Sequence, residues 1–589
     1  MRLPAPRQMR LSDGTELAYV TAGDPFNPAL LLLHGFPSSA NAFRDVIPGL
    51  AGAAYVIAPD LLGHGQSDVP PTPSYDAISK AISELLTHLA IGRRFIHIHD
   101  WGAAVGLQIA MQAPELVSGL IIQNANAHRT GFGPVWDAVL KFWSEPTKEN
   151  EAAATPDLTF EFTREQYTGG LPEDVAATIR GDPWVEDWRV MNLPGRMEAH
   201  RALIGDYKSH AARFDTIAAY LKQWQPPALM LWGRHDPYFD IAETLSWMQD
   251  LPRMEAHVFD GGHFLLETHA EPALSLMIEF IKRTQEMHPD RRPSRTSARS
   301  AGMTSPTQQR LRLSGGTELC FITAGDASNP ALLLLHGFPS SSRTFQGIIP
   351  GLARVAFVIA PDLPGYGQSA PLPAPSFEAF SGAIQELLTH LAIDRRFIYL
   401  HDWGAPVGLQ VAMQSPDLVC GLIIQSANAH RTGFGPQWQA TFEFWSNPTE
   451  ENEREATAFL TLEGTREQYL GGLPEDVAAR VQGEPWVEDW RVMNQPGGME
   501  TQRALLADYA NHAARFSVIA DYIEKRQPPA LMLWGRHDPF FDIAETLSWM
   551  QDLPRMEAHI FDGGHFLLET HAEAAAALMT DFIERTQRP

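Results

Sequence analysis

The chain repeats itself. Leu11-Ser12-Asp13-Gly14-Thr15-Glu16-Leu17 returns as Leu313-Ser314-Gly315-Gly316-Thr317-Glu318-Leu319, and the offset of 302 then holds without a gap through both halves. Between Gln225 and Glu271 only Tyr238 and Val258 change, to Phe540 and Ile560. Met1 itself aligns with Met303, as expected if two copies of one gene fused and the second kept its start. A repeat of this length constrains the fold strongly, because about 285 residues suit a complete domain and not a solenoid unit. Two domains are expected, residues 1–285 and 313–589. Residues 286–312 join them and include His288-Pro289-Asp290-Arg291-Arg292-Pro293-Ser294-Arg295, with almost no large apolar side chain to build a core. The expectation is a flexible linker with a typical span of about 30 Å, enough for the halves to pack side by side as a pseudo-dimer.

Composition excludes several classes. With 44% hydrophobic and 20% charged residues there is ample core material for globular domains. A net charge of -25 repels nucleic-acid backbones and anionic membranes, so neither is expected as a partner. Cys320 and Cys420 are the only cysteines, and their first-copy counterparts are Ala18 and Ser118, so no chemistry common to both copies uses a thiol. The start of the chain is basic and lacks the apolar stretch of a signal peptide, and runs such as Ala29–Leu33 are too short to span a bilayer. A reducing, cytoplasmic setting is the expectation.

Within each copy short apolar runs alternate with helical spacing. In the first, strands are predicted at 17–21, 29–34, 54–58, 94–99, 120–123, 228–232 and 255–259, and helices at 78–91 and 105–112. That alternation implies an α/β fold, a mostly parallel sheet flanked by helices, with reactive residues on loops at the carboxyl ends of the strands. From about 127 to 225, and again from 429 to 527, the alternation gives way to a Trp-rich, helix-compatible stretch.

Four motifs sit at strand ends. Phe95-Ile96-His97-Ile98-His99-Asp100-Trp101-Gly102 reads as strand, tight turn and helix with an acid at the tip, and recurs as Phe397 to Gly404 with Asp402. It resembles the nucleophile elbow of α/β-hydrolases in the branch where aspartate replaces serine, the branch of epoxide hydrolases and haloalkane dehalogenases. The resemblance implies two tandem α/β-hydrolase domains, each with a helical cap inserted after the sixth strand. It also implies a base, His263 in Gly261-Gly262-His263-Phe264 and His565 in the second copy, and an orienting acid, Asp236 in Arg234-His235-Asp236-Pro237 and Asp538. His34-Gly35-Phe36-Pro37 and His336-Gly337-Phe338-Pro339 resemble the loop that completes an oxyanion hole, so Phe36 with Trp101, and Phe338 with Trp403, are the expected backbone N–H donors. His34, and the loop Asp60-Leu61-Leu62-Gly63-His64-Gly65-Gln66-Ser67, are expected to be scaffold.

Chemistry narrows the reaction. A carboxylate that attacks an ester makes an anhydride, no easier to reach than product, whereas attack on an sp³ carbon makes a stable alkyl ester that activated water then cleaves. A small apolar organic substrate with a carbon-bound leaving group is expected, and no metal or cofactor. Two leaving groups remain open. An epoxide oxygen needs an acid, which the resemblance assigns to cap tyrosines: Tyr207 and Tyr509, with Tyr167 and Tyr469 as the second pair. A halide needs N–H donors, which Trp101 with Trp143, or Trp403 with Trp445, would supply. Epoxide hydrolysis is the preferred reading and haloalkane dehalogenation the alternative; a ligand-binding relative with little turnover is a third. The copies differ most in the cap, with Val135 replaced by Gln437, Thr168 by Leu470, Leu193 by Gln495 and Arg196 by Gly498.

Overall fold

The computed structural model describes residues 4–155, 158–286 and 306–587. The chain divides into two compact units, Met1–Arg292 and Pro293–Pro589.

The first unit is built on eight strands: β1 (Arg7–Arg10), β2 (Glu16–Ala22), β3 (Ala29–Leu33), β4 (Tyr55–Pro59), β5 (Arg94–His99), β6 (Val117–Gln123), β7 (Ala228–Gly233) and β8 (Glu255–Phe259). Pairing runs β1-β2-β4-β3-β5-β6-β7-β8, antiparallel for β1 with β2 and β2 with β4, parallel thereafter. Every residue of β3, β5 and β7 is buried. This explains why Ala29–Leu33 is an unbroken apolar run: a parallel strand covered on both faces has no polar side to alternate with. Helix Tyr75–His88 begins where the Ser74 hydroxyl accepts the Ala77 N–H at 3.2 Å, three residues before the expected start.

The second unit repeats the plan with β9 (Thr307–Arg312), β10 (Glu318–Ala324), β11 (Ala331–Leu335), β12 (Phe357–Pro361), β13 (Arg396–His401), β14 (Val419–Gln425), β15 (Ala530–Gly535) and β16 (Glu557–Phe561), paired in the same order.

Two expectations need correction. Residues 307–312, assigned to the linker, form β9, which pairs with β10 from Arg312–Glu318 to Thr307–Thr323, so the second domain starts before 313. The rest of the linker, 287–305, lies outside the described residues. Strand β1, its counterpart, was equally hidden: Arg7-Gln8-Met9-Arg10 is an edge strand facing solvent, and an exposed edge requires no apolar run. With β1 counted, the helical insertion does follow the sixth strand. Its helices include Asp137–Ser144, Lys148–Ala154, Phe160–Thr168, Pro183–Met191 and Arg196–Ala211. The last helix of the assigned stretch, Phe214–Trp224, packs against helices Trp101–Gln112 and Ala242–Asp250 of the sheet layer, so the helical insertion ends near residue 213 and not at 225. No helix among the described residues is long and apolar enough to cross a membrane.

Candidate active site

Asp100 stands between β5 and helix Trp101–Gln112 with φ at 48°, a left-handed conformation that a non-glycine residue holds only where its surroundings enforce it. Two glycines let those surroundings close in. A Cβ on Gly102 would lie 2.4 Å from the Leu33 carbonyl oxygen, and one on Gly35 would lie 2.6 Å from Asp100 Cβ. The loop after β3 therefore lies directly against the elbow, and the Phe36 N–H donates to Asp100 Oδ2 at 2.7 Å. Burial pushes the Asp100 carboxyl up to about 6, against the pull of His263 and of the Phe36 and Trp101 N–H groups.

His263 follows β8 and is almost fully buried. Its Nδ1 lies 2.9 Å from Asp236 Oδ2, and its Nε2 lies 3.9 Å from Asp100 Oδ2, beyond direct hydrogen bonding and close enough for one water to bridge. Nε2 has no hydrogen-bond partner among the described residues. An Nδ1–H given to Asp236 leaves Nε2 with its lone pair facing Asp100, the tautomer of a base. Burial pulls the imidazole down, but the Asp236 and Asp100 carboxylates outweigh it and hold His263 above its ordinary value. Asp236 is itself pinned by the Tyr238 N–H at 2.7 Å, the Phe239 N–H at 3.2 Å and Asn124 Nδ2 at 2.8 Å. His99 Nε2–H donates to the His263 carbonyl at 3.0 Å and fixes that loop to the strand below the elbow.

The second copy reproduces these distances. Asp402 has φ at 46°, the Phe338 N–H reaches its Oδ2 at 2.6 Å, and its carboxyl is pushed by burial to about 6. His565 lies 2.9 Å from Asp538 and 3.9 Å from Asp402. Two supports differ: Ser426 occupies the position of Asn124, and the His565 carbonyl accepts Gln425 Nε2–H at 3.0 Å where the His263 carbonyl accepts His99. His34 is scaffold, its Nε2 accepting the Leu61 N–H at 2.9 Å, and Asp60 likewise accepts the Ala40 and Gln66 N–H groups.

A cavity of about 170 Å³ opens over Asp100 in the first unit. Phe36, Trp101, Tyr207 and His263 line it, joined by Trp136 and Tyr238. Of the first-copy cap residues expected to meet substrate, Tyr207 lines the cavity, and Tyr167 and Trp143 do not. Tyr167 turns its hydroxyl to the buried Asp187 carboxylate and stacks its ring on Phe264 with centroids 4.0 Å apart; Tyr469 does the same with Asp489 and Phe566. Both belong to small apolar clusters beside the site, because the buried face of their helix carries Tyr there. Trp143 spends its indole N–H on the Ile204 carbonyl at 3.2 Å, and Trp445 spends its own on Leu506 at 2.9 Å. Trp143 and Trp445 stack behind Tyr207 and Tyr509 instead, at 6.3 and 6.2 Å. The Tyr207 hydroxyl donates to Asn126 Oδ1 at 2.5 Å.

Sequence reasoning missed Asn124 and Tyr238. Asn124 was legible only as a non-glycine residue ending an apolar strand; it sits at φ 36° and bonds both the N–H and the carbonyl of Gly233. Tyr238 was visible as one of two changes in an otherwise identical stretch. Among the described residues, no group of three or more His, Cys, Asp or Glu side chains is placed to hold a metal ion.

A family model for the alpha/beta hydrolase fold matches residues 28–270 and again 330–572. An uncharacterized hydrolase of Saccharomyces cerevisiae, YNR064C, is 31% identical over 287 residues, which are 46% of this chain and 97% of the yeast protein. The cis-3-alkyl-4-alkyloxetan-2-one decarboxylase of Shewanella oneidensis is 24% identical across 48% of this chain and 91% of its own length. Epoxide hydrolase 3 of Mus musculus is 23% identical across 46% of this chain and 75% of its own length. With the family's model matched once in each half, over a parallel sheet that carries an acid, a second acid and a histidine at its strand ends, the chain is a member of the α/β hydrolase fold family and an enzyme, a hydrolase present in two tandem copies.

Proposed function

We propose that each copy hydrolyses its substrate through an alkyl-enzyme ester on Asp100 or Asp402, and that the substrates are small apolar epoxides. The observation that carries this reading is how the Asp100 carboxylate is held. Oδ2 accepts the Phe36 N–H at 2.7 Å and lies 3.9 Å from His263 Nε2, so Oδ1 is the oxygen left to attack. Oδ1 gives an electron pair to a ring carbon, the C–O bond breaks toward the ring oxygen, and that oxygen takes a proton from Tyr207. His263 Nε2 then removes a proton from water as its oxygen adds to Asp100 Cγ. The oxyanion that forms on Oδ2 rests on the Phe36 and Trp101 N–H groups, worth about 3 kcal/mol each. On collapse the hydroxyl proton of the tetrahedral intermediate goes to the departing alkoxide oxygen, the carboxylate is restored and the His263 proton returns to Tyr207, so a diol is released with one water consumed per epoxide.

Tyr207 supports a leaving oxygen over a leaving halide. Turning the Asn126 amide over lets Nδ2, which has no partner among the described residues, donate to the phenol oxygen and directs the phenol proton into the cavity. The indole that a halide would need as second donor, Trp143, is committed to a carbonyl. The names of the Shewanella and mouse relatives specify strained oxygen rings, an oxetanone and an epoxide, which also favours oxygen.

The test traps the ester. In a chain carrying His263→Gln and Asp402→Asn, styrene oxide should add its mass to the tryptic peptide Phe95–Arg129, which contains Asp100. A wild-type chain that forms diol while this variant gains no mass would rule the route out.

A further inference from the structure

Nature has placed a single hydroxyl at one site and withheld it from the other. Tyr238 and Phe540 each give a backbone N–H to the orienting acid, at 2.7 and 2.8 Å. Each accepts an indole N–H on its carbonyl, from Trp136 at 2.6 Å and from Trp438 at 2.7 Å. Each sets its ring against the base, with centroids 5.2 Å from His263 at 71° and 5.4 Å from His565 at 75°. A backbone tied at both N–H and carbonyl presents the two rings alike, so the copies differ here by the phenol oxygen. Tyr238 lines the cavity together with Asp100, Tyr207 and His263.

We propose that Tyr238 is a second acidic catalytic residue of the first site, sharing the leaving oxygen with Tyr207, and that this hydroxyl divides the labour between the copies. The proposal rests on the alkyl-ester reading above. As Asp100 Oδ1 bonds to carbon and the ring C–O bond breaks, the ring oxygen takes the Tyr207 proton while accepting a hydrogen bond from Tyr238. The Tyr207 phenolate is recharged in the second half of the cycle, when His263, in ring contact with Tyr238, passes on through that hydroxyl the proton it has taken from water. Two phenols spread the charge of a strongly basic alkoxide, whereas Tyr509 alone serves the second site. Epoxides with aliphatic carbons are thereby assigned to the first copy, and substrates whose leaving group departs as a weaker base to the second.

The experiment reads ester formation alone. Chains carrying His263→Gln with Asp402→Asn, or His565→Gln with Asp100→Asn, are mixed with 1,2-epoxyoctane and followed by intact mass. Tyr238→Phe should slow adduct formation at Asp100 at least tenfold, and Phe540→Tyr should speed it at Asp402 at least fivefold. Both substitutions exchange residues that the fold already accommodates at the equivalent position. Unchanged rates in the two variants overturn the role of Tyr238 and leave the ester route standing; no adduct at either aspartate in any variant overturns both.

Discussion

Arg343 donates to Asp489 at 2.8 Å, joining the 3₁₀ helix Ser342–Phe345 beneath the second site to helix Pro485–Met493 of its cap. The first copy lacks this tie. Asn41 stands where Arg343 does, and the arginine appears one turn later as Arg44, which is bonded to Glu267. Asp187, the counterpart of Asp489, is left with the hydroxyls of Tyr167 and Ser38. Removing Arg343 strands a buried carboxylate, so Arg343→Asn should destabilise the second domain by about 1–3 kcal/mol. Denaturant melts of that variant, compared with wild type, check this.

The same contrast sets a pH dependence. Burial pushes the Asp187 carboxyl up to about 7, while in the second copy burial is countered by Arg343 and Asp489 reaches only about 6. A carboxyl raised above its unfolded value of about 4 favours the folded state while protonated and forfeits that advantage as pH climbs through the folded value. The first cap should therefore loosen between about pH 4 and 7. Hydrogen exchange over residues 183–191 should quicken across that range, and Asp187→Asn should flatten the response.

The proposed ester route carries its own pH signature. On that route Asp100 attacks ionised, and its carboxyl sits at about 6; His263 activates water when neutral, and it is held above its ordinary value. Both steps lose rate as pH falls, but the histidine fails first. Quenched-flow samples taken near pH 6 should therefore contain a larger fraction of ester than samples at pH 8. A fraction that does not change with pH would contradict the assignment of His263 to the second step.

Asn124 donates to Asp236 Oδ2, the oxygen that also faces His263 Nδ1. Without that donor the carboxylate bears more charge toward the imidazole and raises it further. In a chain silenced by Asp402→Asn, Asn124→Ser, the residue present in the second copy, should move the acid limb of the kcat profile to higher pH. It should also lower kcat about tenfold at pH 6.

The elements that could be read from sequence are those where chemistry and backbone coincide. Asp100, Asp236 and His263 each stand in the turn after an apolar strand, so strand recognition placed them at one edge of the sheet and the resemblance of the elbow gave them their roles. Tyr167 was misplaced because nothing in Arg164-Glu165-Gln166-Tyr167 tells which way a nine-residue helix faces; Thr163, Gln166 and Tyr167 all proved buried. Trp143 was misplaced because an indole N–H that bonds a carbonyl looks the same in sequence as one that meets a ligand. The cap walls also rearrange between copies in a way no alignment of types would reveal. Phe162 packs on Phe36 at 6.2 Å, its counterpart is Gly464, and Phe459 from five positions earlier takes over against Phe338 at 5.5 Å.

Gly35 gives the sharpest test of how the elbow is held. Its missing side chain leaves room for Asp100: a Cβ there would meet Asp100 Cβ at 2.6 Å and Oδ2 at 2.8 Å. Neither neighbour can retreat, because Asp100 is fixed at a strained φ by β5 and its helix, and Oδ2 is the atom bonded to the Phe36 N–H. Gly35→Ala must therefore push the carboxylate off the amide or move the loop after β3. Either response costs about 1–3 kcal/mol of overpacking and dismantles the oxyanion contact. In a chain carrying Asp402→Asn, the substitution should lower kcat at least a hundredfold. The melting temperature should fall by only a few degrees, so that lost activity exceeds any loss of folded protein. The equivalent Gly337→Ala, whose Cβ would stand 2.5 Å from Asp402 Cβ, should do the same to the second site in a chain carrying Asp100→Asn.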